Sequence, residues 1–368
     1  MNLTKEDAIY ISSVFEDYFG HLDRIDDYMR EQKLASLVDL PSNPLFPPED
    51  DLFSDFSMHP NDMEFDVLEI PGETWETLLS ITSSHINISP VGKNIRLAVI
   101  EKNTGKYVGF IRLASPMINC KPRNEMLGKV FSQTQEGAKT FNKTTLMGFV
   151  IVPSQPFGYN YLGGKLLAAI CCSHKVREIC NKRYGMNLCM FETTSLYGSS
   201  KTVSQYDGMK PYIRYKGLTE SDFLPMMHGK PFDELKNFVE SKIGKIVEDN
   251  VSSRKLKISQ RIIALTKQAL KGSTELEHFL KIIENAKKLT EQKRYYVSDY
   301  GFKNTVEYVN NQTDTLIKGE NYDKFELENV IEWWRKKSVN RYETLKSEGR
   351  LRYELEVWTS GKQIDIIR

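Results

Sequence analysis

Four residues near the middle of the chain are of types that move protons. Glu192 ends an apolar run, Met190-Phe191, and burial in such surroundings raises a carboxyl's proton affinity until it can act as a general base near neutral pH. Tyr197, Tyr206 and Asp207 lie in and after the polar stretch that follows, which is rich in Ser and Gly. A phenol can protonate a departing group, and an aromatic ring can stack on an extruded base. Plainer work suits the same residues: a strand-end Glu caps the next loop, and most Tyr rings pack half-buried.

A second group is cationic. Arg123, Lys201, Lys210, Arg214 and Lys216 are interleaved with Tyr and Phe, a composition that tracks a phosphate backbone while stacking bases. The net charge of +1 hides a partition: residues 1–77 hold 4 basic and 19 acidic side chains, residues 78–229 hold 19 and 8, and residues 230–368 hold 27 and 22. A basic middle suits nucleic acid or a phosphate-rich cofactor; equally, the acidic segment can lie across it and neutralise it.

The five cysteines (Cys120, Cys171, Cys172, Cys180, Cys189) show no zinc spacing with the histidines, so no metal is expected, and they read as reduced, buried hydrophobes. No apolar run reaches bilayer length, and Met1-Asn2-Leu3-Thr4-Lys5 does not open a secretory signal. The expectation is a soluble, cytoplasmic protein with no membrane partner.

The elements that position these residues centre on Thr145 to Thr194. The pattern predicts a strand over Leu146 to Val152, a loop from Pro153 to Tyr159, a helix opening at Asn160-Tyr161-Leu162-Gly163-Gly164-Lys165 and running to Tyr184, and a strand over Leu188 to Glu192. A glycine-bearing helix start presents unpaired N–H groups and the positive dipole end, a seat for phosphate. Upstream, Ile95 to Glu101 and Tyr107 to Leu113 flank Asn103-Thr104-Gly105 as a hairpin. Ser115 to Lys143 shows little periodicity and reads as a substrate-facing loop.

Toward the N-terminus, the first 35 residues read as helical, with Thr4 and Asp7 as a capping box; Pro41 to Pro60 reads as a linker, Asp66 to Ile70 as a strand and Gly72 to His85 as a helix. Pro211 to Tyr215 looks like a closing strand. Beyond Pro231 the spacing predicts helices over Phe232 to Asp249, Arg254 to Lys271, Leu276 to Lys293 and Lys324 to Lys346, then a strand over Leu351 to Trp358. Lys293-Arg294-Tyr295-Tyr296 falls in this helical tail. The division expected is an acidic helical arm and linker (1–77), an α/β core (78–229) and a mostly helical domain (230–368).

A hairpin, a strand, a glycine-entered helix and another strand resemble the core of the GNAT acyltransferase superfamily. The resemblance implies a mixed α/β sheet whose helix after the fourth strand holds the pyrophosphate of acetyl-CoA or another acyl-CoA, through Val150, Val152, Asn160, Leu162, Gly163, Gly164 and Lys165. More narrowly, Gly148-Phe149-Val150-Ile151-Val152-Pro153, Lys182-Arg183-Tyr184-Gly185 and Phe191-Glu192-Thr193-Thr194 are similar to the Druantia-associated family of defence proteins, with Arg123 where that pattern has Arg-Asp. Gly198-Ser199-Ser200 and Tyr206 to Tyr212 fall where that family, and the phage Mu Mom family of DNA-modifying transferases, carry Gly-Thr-x-Tyr-Arg-Ala.

The similarity covers about Ile95 to Gly217. It implies acyl or related group transfer to nucleic acid by a phage-encoded protein in the host cytoplasm. Two alternatives stand beside it: a non-catalytic nucleic-acid-binding or virion-associated protein, which Lys165 in a small-residue position suits, and a protein or small-molecule N-acetyltransferase.

Overall fold

The computed structural model describes residues 3–20, 25–37, 47–84, 92–117, 119–131, 135–195, 204–219, 227, 229–248, 254–290, 293–359 and 361–365. Seven strands form one mixed sheet: β1 (Phe65–Glu69), β2 (Asn94–Glu101), β3 (Lys106–Ala114), β4 (Thr145–Pro153), β5 (Met190–Thr194), β6 (Arg214–Leu218) and β7 (Arg294–Ser298), in the order β1-β2-β3-β4-β5-β7-β6. β1 to β4 are antiparallel, β4 and β5 are parallel, and β7 returns antiparallel to β5. The β2–β3 turn is held by the buried Glu101 carboxylate, which accepts from the Thr104 N–H at 2.8 Å and the Glu64 N–H at 3.1 Å. Gly105 takes the left-handed φ of 68° that the turn demands.

The parallel ladder is short. It runs from Thr145/Met190 to Gly148/Thr193 and ends there, while β4 continues to Pro153 bonded to β3 alone. The β3–β4 register shifts beside Arg112 and Leu113, so Phe149 is an extra residue, 46% exposed, where β4 and β5 part. Gly148 marks the branch point: a Cβ there would stand 2.7 Å from the Phe191 ring. Thr193 fixes it from the other side, its hydroxyl donating to the Gly148 carbonyl at 3.0 Å.

Both faces of the sheet are covered. α3 (Gly72–Thr82) lays Trp75, Leu78 and Leu79 on Ala98, Phe110 and Val152. α4 (Lys121–Leu127) and α5 (Gln135–Thr144) precede β4; α6 (Phe157–Tyr161), α7 (Gly163–Cys171) and α8 (His174–Tyr184) follow it. The apolar α7 is wholly buried from Leu166 to Cys171. α12 (Thr305–Val309) and α13 (Leu327–Ser347) complete this unit, Trp334 of α13 donating its indole N–H to the Tyr161 carbonyl at 2.7 Å.

A second compact unit is helical. α1 (Lys5–Gly20) opens with the reciprocal Thr4/Asp7 cap, both bonds 3.1 Å. Its Ala8, Ile11, Phe15 and Phe19 join Leu235 and Val239 of α9 (Gly229–Ile243), Ile262 of α10 (Arg254–Ala269), and Phe279 and Ile283 of α11 (Thr274–Thr290). Lys242 and Glu275 pair with Asp7 and Lys5 of α1, each at 3.0 Å. α2 (Ile25–Ser36) is the remaining helix among the described residues.

Several expectations change. The single helix over Tyr161 to Tyr184 is two helices, α7 and α8, preceded by the short α6 that begins inside the expected loop: Leu162 turns left-handed with φ 56°, and Ser173 stops α7 and caps α8 by accepting from the Val176 N–H. Ser115 to Lys143 holds α4 and α5, the first started by Pro122 and stopped by a left-handed Gly128. Arg294 to Ser298 is a sheet strand because the half-buried sheet favours its aromatic and β-branched residues. Leu351 to Trp358 forms no strand of its own, only a bridge of Glu356 to Gln155. The compact units also cut across the division in chain order, grouping α1 with α9 to α11 and residues 294–365 with the sheet.

Candidate functional site

Two polar clusters flank the end of β5. The first is wholly buried. Glu192 accepts from the Met117 N–H at 3.0 Å, from Arg123 Nη1 at 3.1 and 3.2 Å, and from the Tyr295 hydroxyl at 2.6 Å. Arg123 also donates to the Met117 carbonyl at 2.8 Å and lies 4.6 Å over the Phe141 ring. Burial, with Glu192 alongside, holds the Tyr295 phenol protonated far above its ordinary range, and pushes the Cys120 thiol up to about 12. A carboxylate engaged by this many donors clamps Met117 and Arg123 onto β5; it is built to position.

The second cluster is half open. Asp207 accepts from Arg294 Nη2 at 3.1 Å, the Tyr296 hydroxyl at 2.9 Å and the Ser204 N–H at 3.0 Å. Burial works to raise its pKa, but the Ser204 N–H, Tyr296 and Arg294 outweigh that and lower it. Tyr206, one residue earlier, is buried beside the ladder's end, in hydrogen-bond contact with the Gln205 and Thr193 side chains, and burial lifts its phenol to about 12. Its ring meets Tyr296 edge-on at 5.3 Å. A phenol in that state is protonated at neutral pH and can donate.

The first turn of α7 lies beside this cluster. The Gly163 and Gly164 N–H groups head the helix and, like those of any helix start, have no intrahelical partner. A Cβ on Gly163 would strike Phe157 at 2.6 Å, and one on Gly164 would lie 2.6 Å from Gln205 Oε1, the far end of a flexible side chain. Lys165 donates to the carbonyls of Gln205 at 3.0 Å and Asp207 at 2.6 Å, fastening the 204–207 turn to the helix. Burial lowers its pKa, with Lys337 adding to the effect. Asn160 faces elsewhere: its amide donates to the Arg352 carbonyl at 2.7 Å and accepts from the Arg352 N–H at 3.2 Å. Val150 pairs with Arg112, and Val152 is packed under α3.

Tyr197 and Lys201 lie outside the described residues. Of the other cations, Lys210 and Lys216 are exposed, Arg214 is in an ion pair with Asp299, and Arg123 is buried in the first cluster. The structure thus brings Glu192 together with Arg123, and Tyr206 and Asp207 together with Lys165 and Gly164. Arg294, Tyr295 and Tyr296, which the sequence reading placed in the helical tail and not at this site, complete both clusters; their aromatic and β-branched run was the available signal of a strand. Among the described residues no set of His, Cys, Asp and Glu could hold a metal, and no helix is long and apolar enough to cross a membrane.

Fold and site together define a mixed α/β protein with a polar centre at the carboxyl end of two diverging parallel strands. Over residues 74–209 the chain matches a family model described as Druantia protein DruA, which bears out the resemblance to the Druantia-associated family. No curated protein matches the chain. The matched stretch contains Arg123, Glu192, Tyr206, Asp207 and the start of α7, whereas the β7 residues that complete both clusters lie beyond it.

Proposed function

We propose that this chain is a group transferase of GNAT type that acts on nucleic acid. The observation that carries the reading is the place of α7: its glycine-entered first turn, which comes after β4 and α6, is fastened through Lys165 to the turn that carries Tyr206 and Asp207, and ligands of α/β sheets lie outside the carboxyl ends of parallel strands such as β4 and β5. Gly163 and Gly164 are buried, and a phosphorylated donor would reach their N–H groups by displacing the flexible Gln205 tip, which stands where a Gly164 Cβ would be. The Gly163 and Gly164 N–H groups and the Lys165 ammonium would hold its phosphates. When bound, an acyl-CoA supplies an activated thioester.

The chain's own residues do the rest. Tyr206 keeps its proton at neutral pH and is aimed by Thr193 and Gln205, so it serves as the acid. Asp207, anchored by Arg294 and Tyr296, sets the turn that carries Tyr206. Glu192 and Arg123, both buried, brace β5 from within. Nucleic acid as acceptor, and phage origin, rest on the Mom-like segment and the basic middle of the chain.

One observation favours a second reading, a non-catalytic nucleic-acid-binding protein on the same sheet: the Lys165 ammonium is already committed to two carbonyls. Calorimetric titration of the full chain with acetyl-CoA and with CoA separates the two. Binding that Gly164→Val abolishes supports the transferase; no heat with either ligand rejects it. Transfer of labelled acetyl to an oligonucleotide, to protein or to a small amine then identifies the acceptor.

A further inference from the structure

In the helical unit, five lysines outside α10 are matched. Lys5, Lys230, Lys236, Lys242 and Lys245 each meet a carboxylate, at 3.0 to 3.6 Å. α10 departs from this. Its sixteen residues include five basic side chains and no acidic one, and Lys271 follows just beyond its end.

The helix is amphipathic: Ile258, Ile262, Ile263 and Leu265 enter the core, and Lys257 and Arg261 are exposed on the outer side. Lys267 and Lys271 continue that side at helical spacing, half-exposed and exposed. Among the described residues, none of Lys257, Arg261, Lys267 and Lys271 forms an ion pair.

We propose that the outer face of α10 is a docking surface for the phosphate backbone of nucleic acid. The argument is charge complementarity and pitch. Four cations without carboxylate partners create a concentrated positive strip on one helix, whereas Lys5, Lys230, Lys236, Lys242 and Lys245 each have a carboxylate to cancel them. From Lys257 to Lys267 the helix rises about 15 Å at 1.5 Å per residue, a span of four to five phosphates at roughly 3.4 Å per strand step. Apart from these cations the exposed side offers Ala264 and Gln268, with no aromatic ring to read a base, so the surface serves affinity and not sequence choice.

The inference rests on nucleic acid being the partner, as in the proposed function, but moves the main contact from the sheet unit to α10. Its test is fluorescence anisotropy of the full chain with a 20-base-pair duplex and a 20-nucleotide single strand, over a salt series. The variant carries Lys257→Glu, Arg261→Glu, Lys267→Glu and Lys271→Glu; a control carries Lys230→Glu and Lys236→Glu on α9. Circular dichroism and thermal melting verify that both fold.

For duplex the log–log salt slope of the wild type should fall by about 3 to 4 in the α10 variant, at roughly 0.9 per lost phosphate contact, with affinity down more than tenfold and the control unchanged. Wild-type binding that the α10 variant retains would overturn the surface and leave the nucleic-acid partner standing. Failure of the wild type to bind either form at low salt would remove the partner itself. Tighter capture of polyglutamate than of duplex would reassign the face to an acidic protein.

Discussion

Tyr295 donates its hydroxyl to Glu192 across 2.6 Å, from β7 to β5, and so completes an ion pair that Arg123 supplies from 69 residues earlier in the chain. Three distant segments therefore meet on one carboxylate that has no contact with water. Replacing Glu192 by Gln removes the carboxylate that faces the buried guanidinium. Breaking such a pair typically removes about 3–5 kcal/mol of stability. Denaturant unfolding should show a loss of that size, and Arg123→Met combined with Glu192→Gln should be less destabilised than Glu192→Gln alone. A single variant as stable as wild type would show that the pair does not clamp the site.

Tyr206→Phe removes one hydroxyl and no packing. With a donor and acceptor in hand, turnover should fall about 10²–10⁴-fold while the melting temperature stays within a degree or two. Unchanged turnover would take the proton donor's role away from Tyr206.

Lys165→Met cuts the two bonds that fasten the turn at residues 204–207 to α7. Charge-assisted bonds of this kind contribute roughly 1.5–3 kcal/mol when well formed, so amide exchange across 204–208 should accelerate about tenfold or more, and α7 itself should stay protected. Equal exchange in both proteins would mean that Asp207 and Arg294 alone hold the turn.

His174, buried at the start of α8, stacks on Tyr322 at 4.0 Å and donates Nε2–H to the Tyr322 carbonyl at 3.0 Å. Burial lowers its pKa below 6.5, against the pull of that carbonyl and of Glu326. Protonation therefore favours the unfolded chain: its contribution is complete above pH 6.5 and is lost as pH falls toward the folded pKa. Thermal melts should decline from about pH 6.5 to pH 5, and His174→Gln should flatten that decline.

The hairpin, the Gly-entered helix and β4 were legible because each is local: alternation, an Asn-Thr-Gly turn and a glycine pair declare themselves within a few residues. Glu192 was legible as a site residue, but its partners were not. Tyr295 reads like its helical neighbours until the sheet pairs it with Thr194, and nothing local says that Arg123 turns inward. The α4 and α5 helices were hidden by Pro122 and Gly128, which read as loop punctuation but serve as start and stop. Asn160 illustrates the opposite error, a residue in the right register for phosphate that the backbone of Arg352 has claimed.

The insertion of β7 between β5 and β6 also sets a timetable. β5 leaves the ribosome with an open edge, and the strand that closes it begins a hundred residues later, at Arg294. At 5–20 residues per second that interval is on the order of 5–20 s. Throughout it an apolar strand is unpaired on one side, and a charged pair destined for a dry interior lacks its third member. Unpaired strands of this sort recruit one another. A nascent chain stalled before residue 294 should therefore lean on chaperones more heavily than one stalled after residue 300, a vulnerability in time that the finished sheet no longer displays.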